Sequence, residues 1–224
     1  VLGTILDVKS QALIEKLIFK VSKLWLSSRP SAQKGVLAMD LKCSVFIAAS
    51  VDGFIARPDG DIEWLHKPEY ETAELNGVTY ERFITTVDAL VMGRKTLEKV
   101  LSFPEWPYEG TPVIALSRQR LELPAYLEGK VEVMAGEVTS LVATLAERGM
   151  KHLYIDGGQT VQAFIQAGLV NELIITRIPV LLGQGIPLFG QVGSEHGLRH
   201  VGTHVSDNGF VQSRYQLTAG TRAA

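Results

Sequence analysis

The stretch Asp88-Ala-Leu-Val-Met-Gly-Arg-Lys-Thr-Leu-Glu98 constrains the fold more than any other part of the chain. Residues 89–92 form a short apolar run that reads as a strand buried on both faces. The run stops at Gly93, and a helix opens at once with Arg94, Lys95 and Thr96. A buried strand feeding directly into a helix is half of a parallel-sheet crossover unit. The same succession recurs along the chain. Residues 43–50 and 112–116 read as strands, the second ending in Ser117-Arg118. Residues 131–134 lead to a helix over 138–148 that stops at Gly149. Residues 152–155 end in Asp156-Gly157-Gly158, and a helix over 159–167 closes at Gly168. A helix over 68–86, interrupted near Asn76-Gly77, precedes the central unit, and a strand over 173–178 leads into a glycine-rich loop over 179–190. The last two strands, 198–205 and 209–217, straddle Asp207-Asn208-Gly209, a hairpin signal. The pattern predicts an α/β fold with a mainly parallel central sheet, helices on both sides and a C-terminal antiparallel hairpin. Strands 173–178 and 210–217 are expected to be apolar edge strands.

Composition narrows the function. At 224 residues the chain suits one domain with an added segment, and its 46% hydrophobic share supports a sizeable core. The formal charge of −2 supplies no basic field for nucleic acid. No apolar run is long enough to span a bilayer, so no membrane partner is expected. Cys43 stands alone, which rules out a disulfide framework within the chain and a cysteine-based metal site. His196, His200 and His204 recur every four residues, but Gly197, Gly202 and the β-prone residues between them favour a strand, and no metal is expected. Residues 1–38 differ from the rest: Leu13, Ile14, Leu17, Ile18, Val21 and Leu24 follow helical spacing after a candidate cap at Ser10, with an excess of Lys and Arg. They are read as an N-terminal extension, helical or disordered. An added docking helix, a targeting segment and an over-extended gene start all fit, and we favour the last, with Met39 as the first residue of a domain over 39–224.

Ligands of open α/β sheets gather beyond the carboxyl ends of the strands. Three strand ends carry suitable residues: Gly93-Arg94-Lys95-Thr96, Ser117-Arg118 and Gly157-Gly158-Gln159. Glycines let backbone approach a pyrophosphate, and a guanidinium such as Arg118 can pair with a 2′-phosphate through parallel hydrogen bonds. Each cluster also suits an ordinary turn. Neither the dinucleotide fingerprint Gly-x-Gly-x-x-Gly nor a P-loop is present.

Taken in order, five motifs are together more specific. Ala49-Ser-Val-Asp-Gly-Phe-Ile-Ala56, Val91-Met-Gly-Arg-Lys-Thr-Leu-Glu98, Val113-Ile-Ala-Leu-Ser-Arg118, Ile155-Asp-Gly-Gly158 and the segment over 178–189 resemble the dihydrofolate-reductase-like superfamily. Within it the likeness is to stand-alone relatives of the reductase C-terminal domain of bacterial riboflavin biosynthesis, over about residues 41–218. The resemblance implies a dihydrofolate-reductase-like three-layer fold, a homodimer, a cytoplasmic setting, NADPH as cofactor and hydride transfer to a small heterocycle. It implies that Gly93, Arg94, Lys95 and Thr96 hold the phosphates, and that Ser117 and Arg118 take the 2′-phosphate. Gly157, Gly158, Gln159 and Thr160 would hold the other flank. Ala49 and Ile55 would bracket the nicotinamide, under a mobile loop at Asp52-Gly53.

Two carboxylates are candidate proton donors. Glu69 follows Trp64 at the spacing of true dihydrofolate reductases, and Asp52 matches the Asp of the riboflavin-type loop. The alternatives are a helix N-terminal acid and a turn former. Either group needs a pKa raised by burial to act near neutrality. The His-x-Glu and Pro-Cys-x-x-Cys of the partner deaminase are missing, so this chain does not deaminate. Only Arg82 lies between Trp64 and Asp88, where the riboflavin enzymes carry an arginine-rich segment for a ribose phosphate. The activity expected is that of an NADPH-dependent reductase resembling 5-amino-6-(5-phosphoribosylamino)uracil reductase. The alternatives are a dihydrofolate or dihydropterin reductase and a non-catalytic NADP-binding protein.

Overall fold

The computed structural model describes residues 41–71, 77–190 and 192–218. The expected extension over 1–38, its helical spacing and the start at Met39 lie outside the described residues. Eight strands form one sheet in the order β5-β4-β3-β6-β1-β7-β10-β9. They are β1 (Lys42–Ser50), β3 (Ala89–Gly93), β4 (Val113–Leu116), β5 (Val131–Met134), β6 (His152–Asp156), β7 (Glu172–Ile178), β9 (Leu198–Val205) and β10 (Val211–Leu217). The strands from β5 through β7 in that order are parallel, and β10 and β9 add antiparallel. A separate two-stranded ribbon pairs β2 (Phe54–Ala56) with β8 (Ile186–Pro187).

The near-continuous apolar runs have the predicted cause: helices cover both faces of the parallel strands. On one face α4 (Val138–Glu147) and α5 (Gly158–Gln166) pack Leu141, Val142, Leu145, Val161, Phe164 and Ile165 onto Val45, Val91, Ile114, Leu153 and Ile155. On the other, α2 (Tyr80–Ile84) and α3 (Arg94–Val100) place Phe83, Leu97 and Val100 against Leu90, Met92, Val113, Ala115 and Tyr154. Alternation along β6 therefore sends Leu153 and Ile155 to the first face, and Tyr154 to the second.

Two expectations change. The helix over 68–86 is instead two short pieces, α1 (Pro68–Glu71) and α2. The Thr79 hydroxyl accepts the Arg82 N–H at 3.3 Å and so caps a new helix start. Strands 173–178 and 210–217 are not edges: β10 pairs with both β7 and β9, and the outer strands are β5 and β9. Their apolar character reflects that inner position. At the opposite end of the sheet from the strand-end clusters, the buried Glu172 pins β1 to β10. Its carboxylate accepts from Lys42 Nζ at 2.6 Å, from the Ser44 hydroxyl at 3.1 Å and from Arg214.

Candidate active site

The sheet order sets three of the motif-bearing strand ends side by side. Leu90–Gly93 run in register with Val113–Leu116, and Met92 stands opposite Asp156. The turns after β3, β4 and β6 thus line one rim, and glycine brings two of them into contact. Gly157 has φ 86° and ψ 133°, which L-residues rarely adopt. A Cβ there would sit 2.2 Å from Thr96 Oγ1, and one on Gly93 would meet Thr160 Oγ1 at 3.0 Å. A Cβ on Gly158 would lie 3.0 Å from Ile55 Cδ1 and 3.2 Å from the Pro187 carbonyl. Gly93, Thr96, Gly157, Gly158, Thr160 and Ile55 therefore converge. Such a cradle of bare backbone at the start of α5 suits a pyrophosphate.

The remaining cofactor candidates lie around it. Ala49, 2% exposed, is the penultimate residue of β1 and lies within the first-face core. Gln159 and Lys95 are exposed. Arg94 is engaged along its own helix, with Nη1 2.6 Å from Glu98 Oε1. The Ser117 hydroxyl exchanges hydrogen bonds with Gln119, leaving Arg118 exposed beside it. A cleft of about 240 Å³ opens between α3 and the segment after β4. Arg94, Leu97, Glu98 and Leu101 line one wall, and residues 119–123, including Arg120, line the other. Sequence reasoning passed over Arg120, which follows the strand end by four positions and carries no motif.

Asp52 is built as a latch. Its carboxylate accepts from the Ser50 hydroxyl at 2.6 Å, the Leu182 N–H at 3.1 Å and the Gly183 N–H at 2.7 Å. Ser50 Oγ accepts the Phe54 N–H in turn. The Leu188 N–H bonds to the Gly53 carbonyl, and Val51 N–H to that of Val180. These bonds tie the loop after β1 to the glycine-rich loop and carry Ile55 to Gly158. The Ser50 hydroxyl, with the Gly183 and Leu182 N–H groups, holds the Asp52 carboxyl below the usual range, and the residue is exposed. That is the reverse of what a general acid near neutrality needs. Glu69 falls on α1, and its side chain lies outside the described residues.

The carboxyl that does have a raised pKa is Asp156. Burial pushes it up to about 6, against the lowering effect of the Gly157 N–H. It ends β6 on the side of the aromatic second face, where Tyr80 lies 6.5 Å from Tyr154 and 6.1 Å from Phe46, ring centre to ring centre. Trp106 and Tyr108 meet at 5.3 Å in the loop after α3. Burial first, then the charge of Asp156, raises the phenols of Tyr80, to about 12, of Tyr108 and of Tyr154. Tyr154 donates to the Phe46 carbonyl at 2.9 Å. Tyr80 Oη, Trp106 Nε1 and Trp64 Nε1 are buried without a hydrogen-bond partner. In the sequence Asp156 marks only a strand end, and its one signal is a carboxylate immediately before a glycine pair.

The chain is 36% identical over 168 residues to the uncharacterized protein YwjB of Bacillus subtilis (strain 168), covering 74% of this chain and 92% of that one. It is 39% identical, with a TM-score of 0.72, to the crystal structure of a protein of Shewanella sp. PV-4 that carries a riboflavin-biosynthesis name, covering 80% of this chain and 99% of that one. A dihydrofolate reductase of Enterococcus faecalis, solved with NADP(H), superposes with a TM-score of 0.57 at 19% identity, covering 80% of this chain and 98% of that one. At that identity it speaks for the fold alone, which is dihydrofolate-reductase-like, as the motif order predicted. The family model of the RibD C-terminal domain matches residues 42–212, and the chain belongs to that family.

Proposed function

We propose that the chain is an NADPH-dependent reductase acting on a small heterocyclic substrate, of the kind that the pyrimidine reductases of riboflavin biosynthesis represent. The convergence of Gly93, Thr96, Gly157, Gly158, Thr160 and Ile55 at one rim of the sheet carries the reading. The bound nicotinamide supplies a hydride. Gly93 to Thr96 and Gly157 to Thr160 cradle the pyrophosphate, with the α5 N-terminus facing the negative charge. Arg120, on the wall of the cleft beside α3, and Arg118, two positions before it, receive the 2′-phosphate. Ala49 and Ile55 set the nicotinamide ring, and the Asp52 latch holds Ile55 in place. Much of the rate then comes from fixing two rings at reacting distance.

The reaction also needs a proton. With Asp52 held ionised, Asp156 takes that role, since a carboxyl of pKa about 6 exchanges its proton near neutrality. A cytoplasmic setting and a homodimer along β9 complete the reading. Among the described residues no helix is long and apolar enough to cross a membrane. Leu198, Val201 and Val205 stand exposed on β9, the outer strand.

The test is a titration with NADPH and with NADH, followed by energy transfer from the tryptophans to the reduced nicotinamide. Micromolar NADPH binding with weak NADH binding is expected. Arg118→Ala and Arg120→Ala should weaken NADPH and leave NADH unchanged. Absence of binding to either nucleotide would remove the reductase reading. NADPH binding without oxidation by any candidate heterocycle would leave a non-catalytic nucleotide-binding protein.

A further inference from the structure

We infer that His152, Ser44 and Glu172 form a proton-gated relay across the sheet, in which charging His152 turns the Ser44 hydroxyl from the imidazole to the Glu172 carboxylate. The relay lies at the opposite end of the sheet from the strand-end glycines and is independent of the reductase reading.

The ground is a count of protons. Side chains link four neighbouring strands in turn: His152 on β6, Ser44 on β1, Glu172 on β7 and Arg214 on β10. His152 Nδ1 lies 2.8 Å from the Thr86 carbonyl, and Nε2 lies 2.8 Å from Ser44 Oγ. Ser44 Oγ is 3.1 Å from Glu172 Oε2. A carbonyl only accepts, so Nδ1 carries a proton. The Thr86 hydroxyl does not replace that carbonyl, since it is 3.5 Å from Nδ1 and donates to the Phe83 carbonyl at 2.7 Å. Ser44 has one hydroxyl proton for two neighbours. When His152 is neutral, Nε2 is bare, and Ser44 donates to it; otherwise two lone pairs would face each other at 2.8 Å. Glu172 is then left to Lys42 and Arg214. When His152 is charged, Nε2 donates to Ser44, and the hydroxyl is released to Glu172. The Ser44 bond to Glu172 belongs to this charged state. Both states satisfy every member, and only a hydroxyl turns. Ser44 is fully buried and Glu172 is 2% exposed, so bulk water does not compete for the proton.

The surrounding charges come from every neighbouring element. Lys42 reaches in from β1, Lys151 precedes the ring on β6, and Asp88 stands before β3, holding the His152 N–H. Phe83 of α2 meets the ring edge-on at 6.0 Å. Burial holds the imidazole pKa below its ordinary value, against the Thr86 bond; Lys42 acts with burial, while Glu172 and Asp88 oppose it. Stability is therefore full above the ordinary imidazole value and is lost as the pH falls through the lower folded one. The relay limits that loss. Charging His152 gives Glu172 a third side-chain donor and tightens the clasp that holds β10.

The experiment is nuclear magnetic resonance of the whole chain with labelled histidine and glutamate, titrated from about pH 8 to about pH 4. His152→Gln and Glu172→Gln assign the two signals. Neutral His152 should carry its proton on Nδ1. The Glu172 carboxyl signal should move with the His152 midpoint. Ser44→Ala should shrink that movement and weaken proton binding at His152 about tenfold, because a bond to a charged donor is lost with a weaker bond to the neutral ring. Neutral His152 protonated on Nε2, a Glu172 signal that ignores His152, or an unchanged His152 titration in Ser44→Ala would each overturn the relay. If Ser44→Ala does not fold, the tautomer and the Glu172 response of the parent protein still decide.

Discussion

Replacing Gly157 by Ala tests the geometry on which the proposed cofactor cradle depends. Two penalties combine at this position. The backbone sits at φ 86°, ψ 133°, a region nearly reserved for glycine, where another residue costs about 1–3 kcal/mol. The new methyl would also lie 2.2 Å from Thr96 Oγ1 and 3.3 Å from Thr96 Cβ. Turning the Thr96 hydroxyl out of its place, or parting the β6–α5 turn from α3, adds an overpacking cost of about 1–3 kcal/mol. Together the loss is about 4 kcal/mol, a large share of the stability of a domain this size. Urea unfolding followed by tryptophan fluorescence measures it, and NADPH titration of the folded fraction should show weakened binding. Thr96→Ala separates the two penalties. In that background the nearest Thr96 atom is Cβ at 3.3 Å, so Gly157→Ala should lose only the backbone share, about 2 kcal/mol. A Gly157→Ala protein within about 1 kcal/mol of the parent, or one that Thr96→Ala does not rescue, would refute the claim that this close approach holds the cradle together.

Two further outcomes follow from the aspartates. Asp52→Ala should lower turnover by about a hundredfold, the order expected when a reacting ring is misplaced by an ångström. The loss should be even across pH 5 to 9, because a carboxyl held below its usual range is ionised throughout; loss of one limb of the pH–rate profile would make Asp52 a proton donor after all. Asp156→Asn should stabilise the protein at pH 7. Its folded pKa of about 6 lies above the ordinary value, so the folded state binds the proton more tightly and stability falls as pH rises from about 4 to about 6. Two pKa units correspond to about 3 kcal/mol, so denaturation midpoints of the two proteins should separate above pH 6 and converge below pH 4.

The parallel sheet was legible because its strands are buried on both faces, and burial on both faces leaves uninterrupted apolar runs such as 89–92 and 153–155. The three strand-end clusters were legible because glycine and serine stop those runs where ligands gather. The ribbon between β2 and β8 was not visible, since two short pieces far apart in sequence have no periodicity of their own; Asp52 and Gly185 draw them together, the latter with no room for a Cβ against the Ala56 carbonyl. The inner position of β7 and β10 was misjudged for a related reason. Apolar content reports that a strand is covered, and it does not say by what. Arg120 carries no pattern, and only the cleft between α3 and the segment after β4 singles it out.

The aspartates make the same point about the site itself. In sequence Asp52, Asp88 and Asp156 look alike, each placed at a strand end or turn. Asp88 accepts the Lys151 and His152 N–H groups at 2.6 and 2.8 Å, and these bonds hold its carboxyl below the usual range. Asp52 is held the same way by Ser50, Gly183 and Leu182. Each has the donors that make an ionised carboxylate a stabilising structural element. Asp156 has the Gly157 N–H against a burial that outweighs it, at the other end of β6 from the strand start that Asp88 ties down. Asparagine there would keep the size and the hydrogen bond while removing the buried charge, so packing gives no reason for an acid at this position. A carboxyl that destabilises its own fold when ionised, at the rim where the glycine turns converge, fits the proton role proposed for it.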